Sequence, residues 1–188
     1  MTTKLAVPSV ALSIAPSIAP IMASAPTAAT AATLDHAGIA QRIPHSGSMC
    51  LLHSLLDWST EHVLCHATSH ADPANPLRSA SGLLAPCAIE YAAQAMALHG
   101  ALLAPTGAAP TPGYLASVRA VQFAVATLHD LPGPLAVRAQ RLAGDGRQIL
   151  YQFTVRDGAG QAVADGRATV VLNTPIVPIP AAPPGSAP

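Results

Sequence analysis

The chain of 188 residues has room for one domain of ordinary size with tails, and is long enough to bury a sizeable core. Nine basic residues balance nine acidic ones, so no strong field is present to draw in nucleic acid or an anionic membrane surface. Cys50, Cys65 and Cys87 form no CxxC pair and cannot all pair within one chain, which argues against a disulfide scaffold or a zinc knuckle and fits a reducing, cytoplasmic compartment.

Residues 1–34 and 173–188 are rich in Ala, Pro, Ser and Thr and lack helical or alternating periodicity, so both are predicted to be disordered tails around a domain spanning 35–172. Lys4 is the one charged side chain outside that domain. Lys4 before an apolar stretch, with Ala23-Ser24-Ala25 beyond it, has the outline of a secretory leader. Pro8, Pro16 and Pro20 interrupt its apolar run and Pro26 would follow the cut, so export is the less favoured reading. A membrane span is not expected, because a run of about 18 apolar residues free of Pro is missing.

Within the domain, Cys50 to Leu56 and Val63 to Thr68 read as two strands joined by the polar turn Asp57 to His62. An irregular loop follows from Ala71 to Ser81, with Pro73 and Pro76 inside it and Gly82 beside it. Pro86 to Gly100 is rich in helix formers, starts with Pro where the first turn tolerates it, and meets Gly100 near its end. Apolar or small residues cover nearly every face of this helix, so it is predicted to be buried. After a Pro/Gly loop from Pro105 to Pro112, Tyr114 to Val125 is a β-compatible mixture. Turn signals at Pro132-Gly133-Pro134, Gly144-Asp145-Gly146 and Asp157-Gly158-Ala159-Gly160 then bound Leu135 to Leu142, a strand through Ile149, and Gln161 to Leu172. Ile149, Tyr151, Phe153 and Val155 alternate with Gln148, Leu150, Gln152, Thr154 and Arg156 and are assigned to one buried face. The order is hairpin, buried helix, then three antiparallel strands. It predicts an α+β layout in which a curved antiparallel sheet wraps one long central helix.

The strings Ile43-Pro44-His45-Ser46-Gly47-Ser48-Met49-Cys50-Leu51-Leu52, Gly82-Leu83-Leu84-Ala85-Pro86-Cys87-Ala88-Ile89-Glu90-Tyr91-Ala92-Ala93-Gln94-Ala95 and Gly113-Tyr114-Leu115 occur in that order. Together they span most of the domain, and with the element order they resemble the hotdog-fold 3-hydroxyacyl-acyl-carrier-protein dehydratases, in particular the ApeP-like dehydratase subunits of aryl polyene clusters. The resemblance implies a dimer, a homodimer or a heterodimer with a related dehydratase, whose sheets join edge to edge with active sites between subunits. It also implies an acyl carrier protein as partner, with the substrate carried on phosphopantetheine and no metal or redox cofactor. One departure stands out. Where related dehydratases carry a histidine in Gly-His-Phe-Pro, this chain reads Asp72-Pro73-Ala74-Asn75-Pro76-Leu77-Arg78. His45 and His70 are the candidates to replace it.

Dehydration of a 3-hydroxyacyl thioester needs a base for the proton next to the carbonyl and an acid for the departing hydroxyl. Glu90 is the only acidic residue of the predicted helix. Ala88, Ile89, Ala92 and Ala93 around it are expected to desolvate it, which favours a neutral, proton-donating form; a helix-start carboxylate held by the macrodipole is the structural alternative. Leu84, Ala85 and Pro86 offer no capping side chain, so first-turn N–H groups near Pro86 and Cys87 are expected to be open to a thioester carbonyl. Gln94 is assigned to substrate, helix or dimer contacts, and Arg78 either to solvent or to a phosphopantetheine phosphate. His62, His66 and His70 recur every fourth residue, but Val63 and Leu64 between them suit a strand and the ligand set lacks a carboxylate or Cys pair. No metal site is expected. Two further readings stay open: a non-catalytic subunit that completes a heterodimer with an active dehydratase, and a hotdog thioesterase in which the helix carboxylate directs water at the thioester.

Overall fold

The computed structural model describes residues 33–105 and 113–172. The leader reading, both predicted tails apart from residues 33 and 34, and the loop beyond Pro105 lie outside them.

A short helix, α1 (His36–Ala40), precedes the hairpin of β1 (Ser54–Trp58) and β2 (His62–Ala67); then come α2 (Ala88–Leu103), β3 (Gly113–Phe123), β4 (Leu135–Gly144), β5 (Gln148–Arg156) and β6 (Ala162–Leu172). The strands form one six-stranded sheet in the order β1-β2-β4-β5-β6-β3, antiparallel at every pairing. The α+β prediction holds, with one long helix against an antiparallel sheet. Tyr114 to Val125 becomes a full strand, so four strands follow the helix rather than three. This β3 passes beyond β4 and β5 to pair with β6 at the far edge.

Alternation decides which face is inside. Ile149, Tyr151, Phe153 and Val155 are buried, as predicted, and Val63, Cys65 and Ala67 on β2 with Leu135, Val137 and Ala139 on β4 extend the same surface. Ala88, Ala92 and Ala95 of α2 pack against it without the bulk that would hold helix and sheet apart. Gly166 serves the same end on β6, since a Cβ there would stand 2.9 Å from Phe153 Cζ. The helix is not buried all round within one chain: Ile89, Glu90, Ala93 and Ala97 are half-buried and Gly100 is exposed.

Three boundaries differ from the sequence reading, each for a local reason. The first strand begins at Ser54 rather than Cys50 because Leu51 gives its backbone to side chains: its N–H donates to Gln94 Oε1 and its carbonyl accepts from Ser69 Oγ, both at 2.8 Å. A 3₁₀ turn over Ala85–Cys87 takes the first residues of the predicted helix. The helix runs on through Gly100 to Leu103, and ends where Ala104 turns extended before Pro105. The unpredicted α1 is a single short turn whose signal was Asp35, which caps it by accepting from Gly38 N–H at 2.8 Å. All three cysteines are free. Among the described residues no helix is long and apolar enough to cross a membrane.

Two histidines are locked into this core. His99 Nε2–H donates to Ser59 O and Nδ1 accepts from the Tyr151 hydroxyl, each at 2.9 Å. His70 is almost fully buried beside Leu131 O. Burial holds both imidazoles below their ordinary value of 6.5. The unfolded chain therefore takes up protons that the folded chain refuses, so the stability from these neutral rings is complete above pH 6.5 and falls as the pH drops through the folded values. Asp57, whose carboxyl the His62 hydrogen bond holds below 3.8, adds a further loss only at more acid pH. The expected outcome is a urea midpoint that is level above about pH 7 and declines between about pH 6.5 and 5. A midpoint constant down to pH 5 would show that neither ring is held neutral.

Candidate active site

The entrance to α2 is built by a second, short pairing. Ala85 N–H donates to Ala126 O at 2.9 Å and Leu128 N–H to Leu83 O at 2.8 Å, so the segment after β3 holds the chain that enters the helix. Gly82 allows the turn before it: its φ is +89° and an added Cβ would meet the His129 ring. His129 Nδ1 accepts from Leu83 N–H at 3.2 Å, while Nε2 faces Asp130 Oδ2 at 3.2 Å.

This arrangement engages the amides that the sequence leaves open. Cys87 N–H donates to Leu84 O, and Ala88 N–H lies on Ala85 O and Pro86 O. With Ala85 N–H on Ala126 O and no N–H on Pro86, the donors beside Pro86 and Cys87 are engaged within the protein itself. Pro86 itself is exposed and Cys87 is half-buried. The Cys87 thiol, 3.9 Å from Leu77 O, is pushed up by burial, which keeps it protonated and poorly nucleophilic.

Glu90 lies in the first turn of α2, and Gln94 follows one turn later on the same face. Gln94 is fully buried and fully bonded. Its Nε2 donates to Met49 O at 2.8 Å and to Glu90 Oε1 at 2.9 Å, and its Oε1 accepts from Leu51 N–H. The amide thereby clamps the segment after His45 to the helix. Buried Ile43, Cys50, Leu51 and Leu52 anchor the same segment in the core, and Gly47, at φ +57°, turns it. The result is that His45 Nε2 stands 3.2 Å from Glu90 Oε1, with the two side chains 28% and 31% exposed. The desolvation expected for Glu90 is therefore incomplete, and the pair is open to an incoming molecule. His45 Nδ1 is buried with no hydrogen bond among the described residues, a condition that asks for an explanation in a native fold.

Of the two candidate histidines, then, the structure joins His45 to Glu90. His70 is instead turned toward Leu131 O at 3.4 Å, its Nδ1 without a partner among the described residues. Arg78 is half-buried in the loop and has no side-chain hydrogen bond or ion pair among the described residues. His62 and His66 lie on the sheet face away from α2 while His70 sits in a 3₁₀ turn, so the three do not share a face. No group of three metal-ligating side chains occurs among the described residues.

Sequence reasoning missed the support behind the helix. The Tyr91 hydroxyl meets Ser69 Oγ at 2.9 Å and accepts from Asn75 Nδ2 at 3.0 Å; Asn75 also donates to Ser69 O. This network ties the Pro-rich loop to α2. Its signal was a Tyr in a helix of small apolar residues, whose hydroxyl needs a partner once buried.

Chemically, an imidazole with one nitrogen unengaged stands beside a carboxylate whose second oxygen has no partner among the described residues. Such a pair can take a proton from one point of a bound molecule and give one at another.

A family model described as "ApeP-like: ApeP dehydratase" matches residues 37–176. No curated protein matches the chain. Among solved structures, a chain of the dehydratase heterocomplex ApeI:P from Xenorhabdus doucetiae superposes with a TM-score of 0.65 at 24% identity, covering 72% of this chain and 91% of that one. A thioesterase from Haemophilus influenzae gives 0.55 at 12% identity, covering 74% and 90%. A mutant thioesterase from Pseudomonas aeruginosa gives 0.50 at 11%, covering 64% and 80%. At these identities the likeness is one of fold, the hotdog arrangement.

Proposed function

Because the chain belongs to the ApeP-like dehydratase family, we propose that it eliminates water from a 3-hydroxyacyl group carried on the phosphopantetheine of an acyl carrier protein, giving a trans-2-enoyl thioester in aryl-polyene or fatty-acid-type biosynthesis. The observation that carries this reading is the 3.2 Å contact between His45 and Glu90. One member of the pair takes the proton from C2 as the C2–C3 double bond forms. The other protonates the hydroxyl leaving C3 as water. The base then holds a proton that the acid lacks, and their direct contact lets it pass back, which restores both groups for the next turnover. The elimination moves no electrons to or from the protein, so it calls for no redox cofactor, and the acid takes the part a metal would play at the hydroxyl. Arg78, Pro86 and Cys87 border the entrance to α2 and are assigned to the arm and acyl chain; Gln94 holds the dyad.

The uncovered side of α2 and the far edge of the sheet support a second hotdog subunit. Edge strand β3 carries exposed Tyr114, Leu115, Val118 and Phe123 along eleven residues, and an edge of this kind invites pairing with another strand. The partner is a second copy or a related dehydratase, and the absence of a histidine between Asp72 and Arg78 favours a subunit that depends on its partner.

The test is the mass of the product. The full-length chain, alone and mixed with a related dehydratase subunit, is incubated with a 3-hydroxyacyl carrier protein. Loss of one water is expected, in at least the mixture. Release of free acid would identify a thioesterase instead. Dehydration that occurs only in the mixture and survives Glu90→Gln in this chain would make it the non-catalytic subunit. Unchanged substrate in both arms would overturn the proposal.

A further inference from the structure

The sheet face turned away from α2 carries an arrangement that the chemistry above does not use. On β6, Gly166 and Ala168 face the core, which turns Arg167 between them to the outer face. Its direct partner on edge strand β3 is Arg119, and both are exposed. Like charges directly opposite one another on neighbouring strands repel. No ion pair joins them to an acid: among the described residues the three ion pairs all have a histidine as the cation, and no arginine is joined to a carboxylate.

The register gives the surroundings. Along the same row come Gln152, Gln140 and His62, without a carboxylate. In the next row Asp165 lies between Gln122 and Thr154, followed by Arg138. Asp57, on β1, is bonded to His62. Arg156 shares the face, with its guanidinium on Gly160 O. The backbone beside the pair is also shaped. Ala120 has φ +50°, the one non-glycine among the described residues with a positive φ, and a bulge separates Arg119 from Gln122. Bulges of this kind re-aim the neighbouring side chain.

Position links the pair to the site. Past Phe123, β3 runs into Ala126–Leu128, the segment hydrogen-bonded to Leu83 and Ala85 at the entrance to the helix that bears Glu90. Pairing of the β3 edge with a second subunit would use backbone groups and leave the outward guanidinium groups in place.

We propose that Arg119 and Arg167 form the docking point for the acyl carrier protein, gripping the anionic attachment site of its phosphopantetheine arm. Two guanidinium groups on opposed strands can converge on one phosphodiester, a planar, multidentate recognition suited to arginine. The partner's negative charge removes the repulsion that the free sheet retains. This inference rests on the carrier-borne substrate proposed above and adds where the carrier binds.

The test uses the double variant Arg119→Glu, Arg167→Glu with two substrates bearing the same 3-hydroxyacyl group, one on the carrier protein and one on pantetheine, which lacks the phosphodiester. The expected result is a KM for the carrier substrate raised about tenfold or more, a kcat close to wild type, and unchanged turnover of the pantetheine thioester, which also shows that the fold persists. Equal loss on both substrates, or loss on neither, would overturn the docking assignment. Should the wild-type chain turn over neither, binding of the loaded carrier to the immobilised chain separates the two ideas. Binding abolished by the double variant supports docking while the dehydratase reading fails; binding that is absent, or indifferent to the two arginines, removes the docking point.

Discussion

Glu90→Gln is expected to lower the rate of dehydration roughly 100- to 10,000-fold, the range for loss of a positioned acid–base group, while the protein stays folded. The substitution is nearly isosteric, and the side chain it changes is 31% exposed rather than sealed in the core. The carbonyl oxygen of the new amide can still accept from Gln94 Nε2, the bond that now reaches Glu90 Oε1 at 2.9 Å. What disappears is the group able to hold and release a proton next to His45. A single-turnover measurement on loaded carrier protein, with the thermal midpoint as control for folding, reads this directly. An undiminished rate at an unchanged midpoint would remove Glu90 from the chemistry, and with it the His45–Glu90 pair as the seat of the reaction. His45→Ala is expected to act in the same direction, because the proton could no longer pass between the two groups.

How far the sequence carries toward this site depends on whether the information is local. The alternation of Ile149, Tyr151, Phe153 and Val155 is local, and it placed β5 with the correct face inward. The run of small helix formers after Pro86 is local too, and it gave α2 to within a turn at each end. Cys50 to His53 looked like strand because apolar residues there are β-compatible. The backbone of Leu51 was instead taken by Gln94 and Ser69, 43 and 18 residues away, which no local pattern reveals. Gly100 looked like a stop signal, yet it lies inside the last turn of the helix with open space around it, where the lack of a side chain is merely tolerated. The site divides in the same way. Glu90 stood out as the single acid of its helix. The choice between His45 and His70 was open because both precede α2 in chain order, and only the folded path brings one to the carboxylate and turns the other toward Leu131. The amides of Ala85, Cys87 and Ala88 look open in the sequence for a related reason, since their acceptors lie within the turn itself and in the segment after β3.

Gln94 is the residue whose replacement should separate holding the site from performing its chemistry. Gln94→Leu keeps the volume but removes the acceptor of Leu51 N–H and the donor to Met49 O in one step. Leu51 is almost fully buried, so its N–H cannot turn to water. A buried group left unsatisfied costs about 1–3 kcal/mol, and with Leu51 N–H in that state and half-buried Met49 O left to water, a loss of about 1–3 kcal/mol is expected from the urea midpoint at constant m-value. Activity should fall as well, because the segment carrying His45 is no longer tied to the helix carrying Glu90. Gln94→Glu distinguishes the two effects. It retains an acceptor for Leu51 N–H but sets a second carboxylate against Glu90, so kcat should drop further relative to stability than it does in Gln94→Leu. If both variants lost activity only in proportion to stability, Gln94 would be a core residue that happens to touch Glu90. A Gln94→Leu midpoint equal to wild type would mean that Leu51 finds another partner and that the clamp does not hold the site.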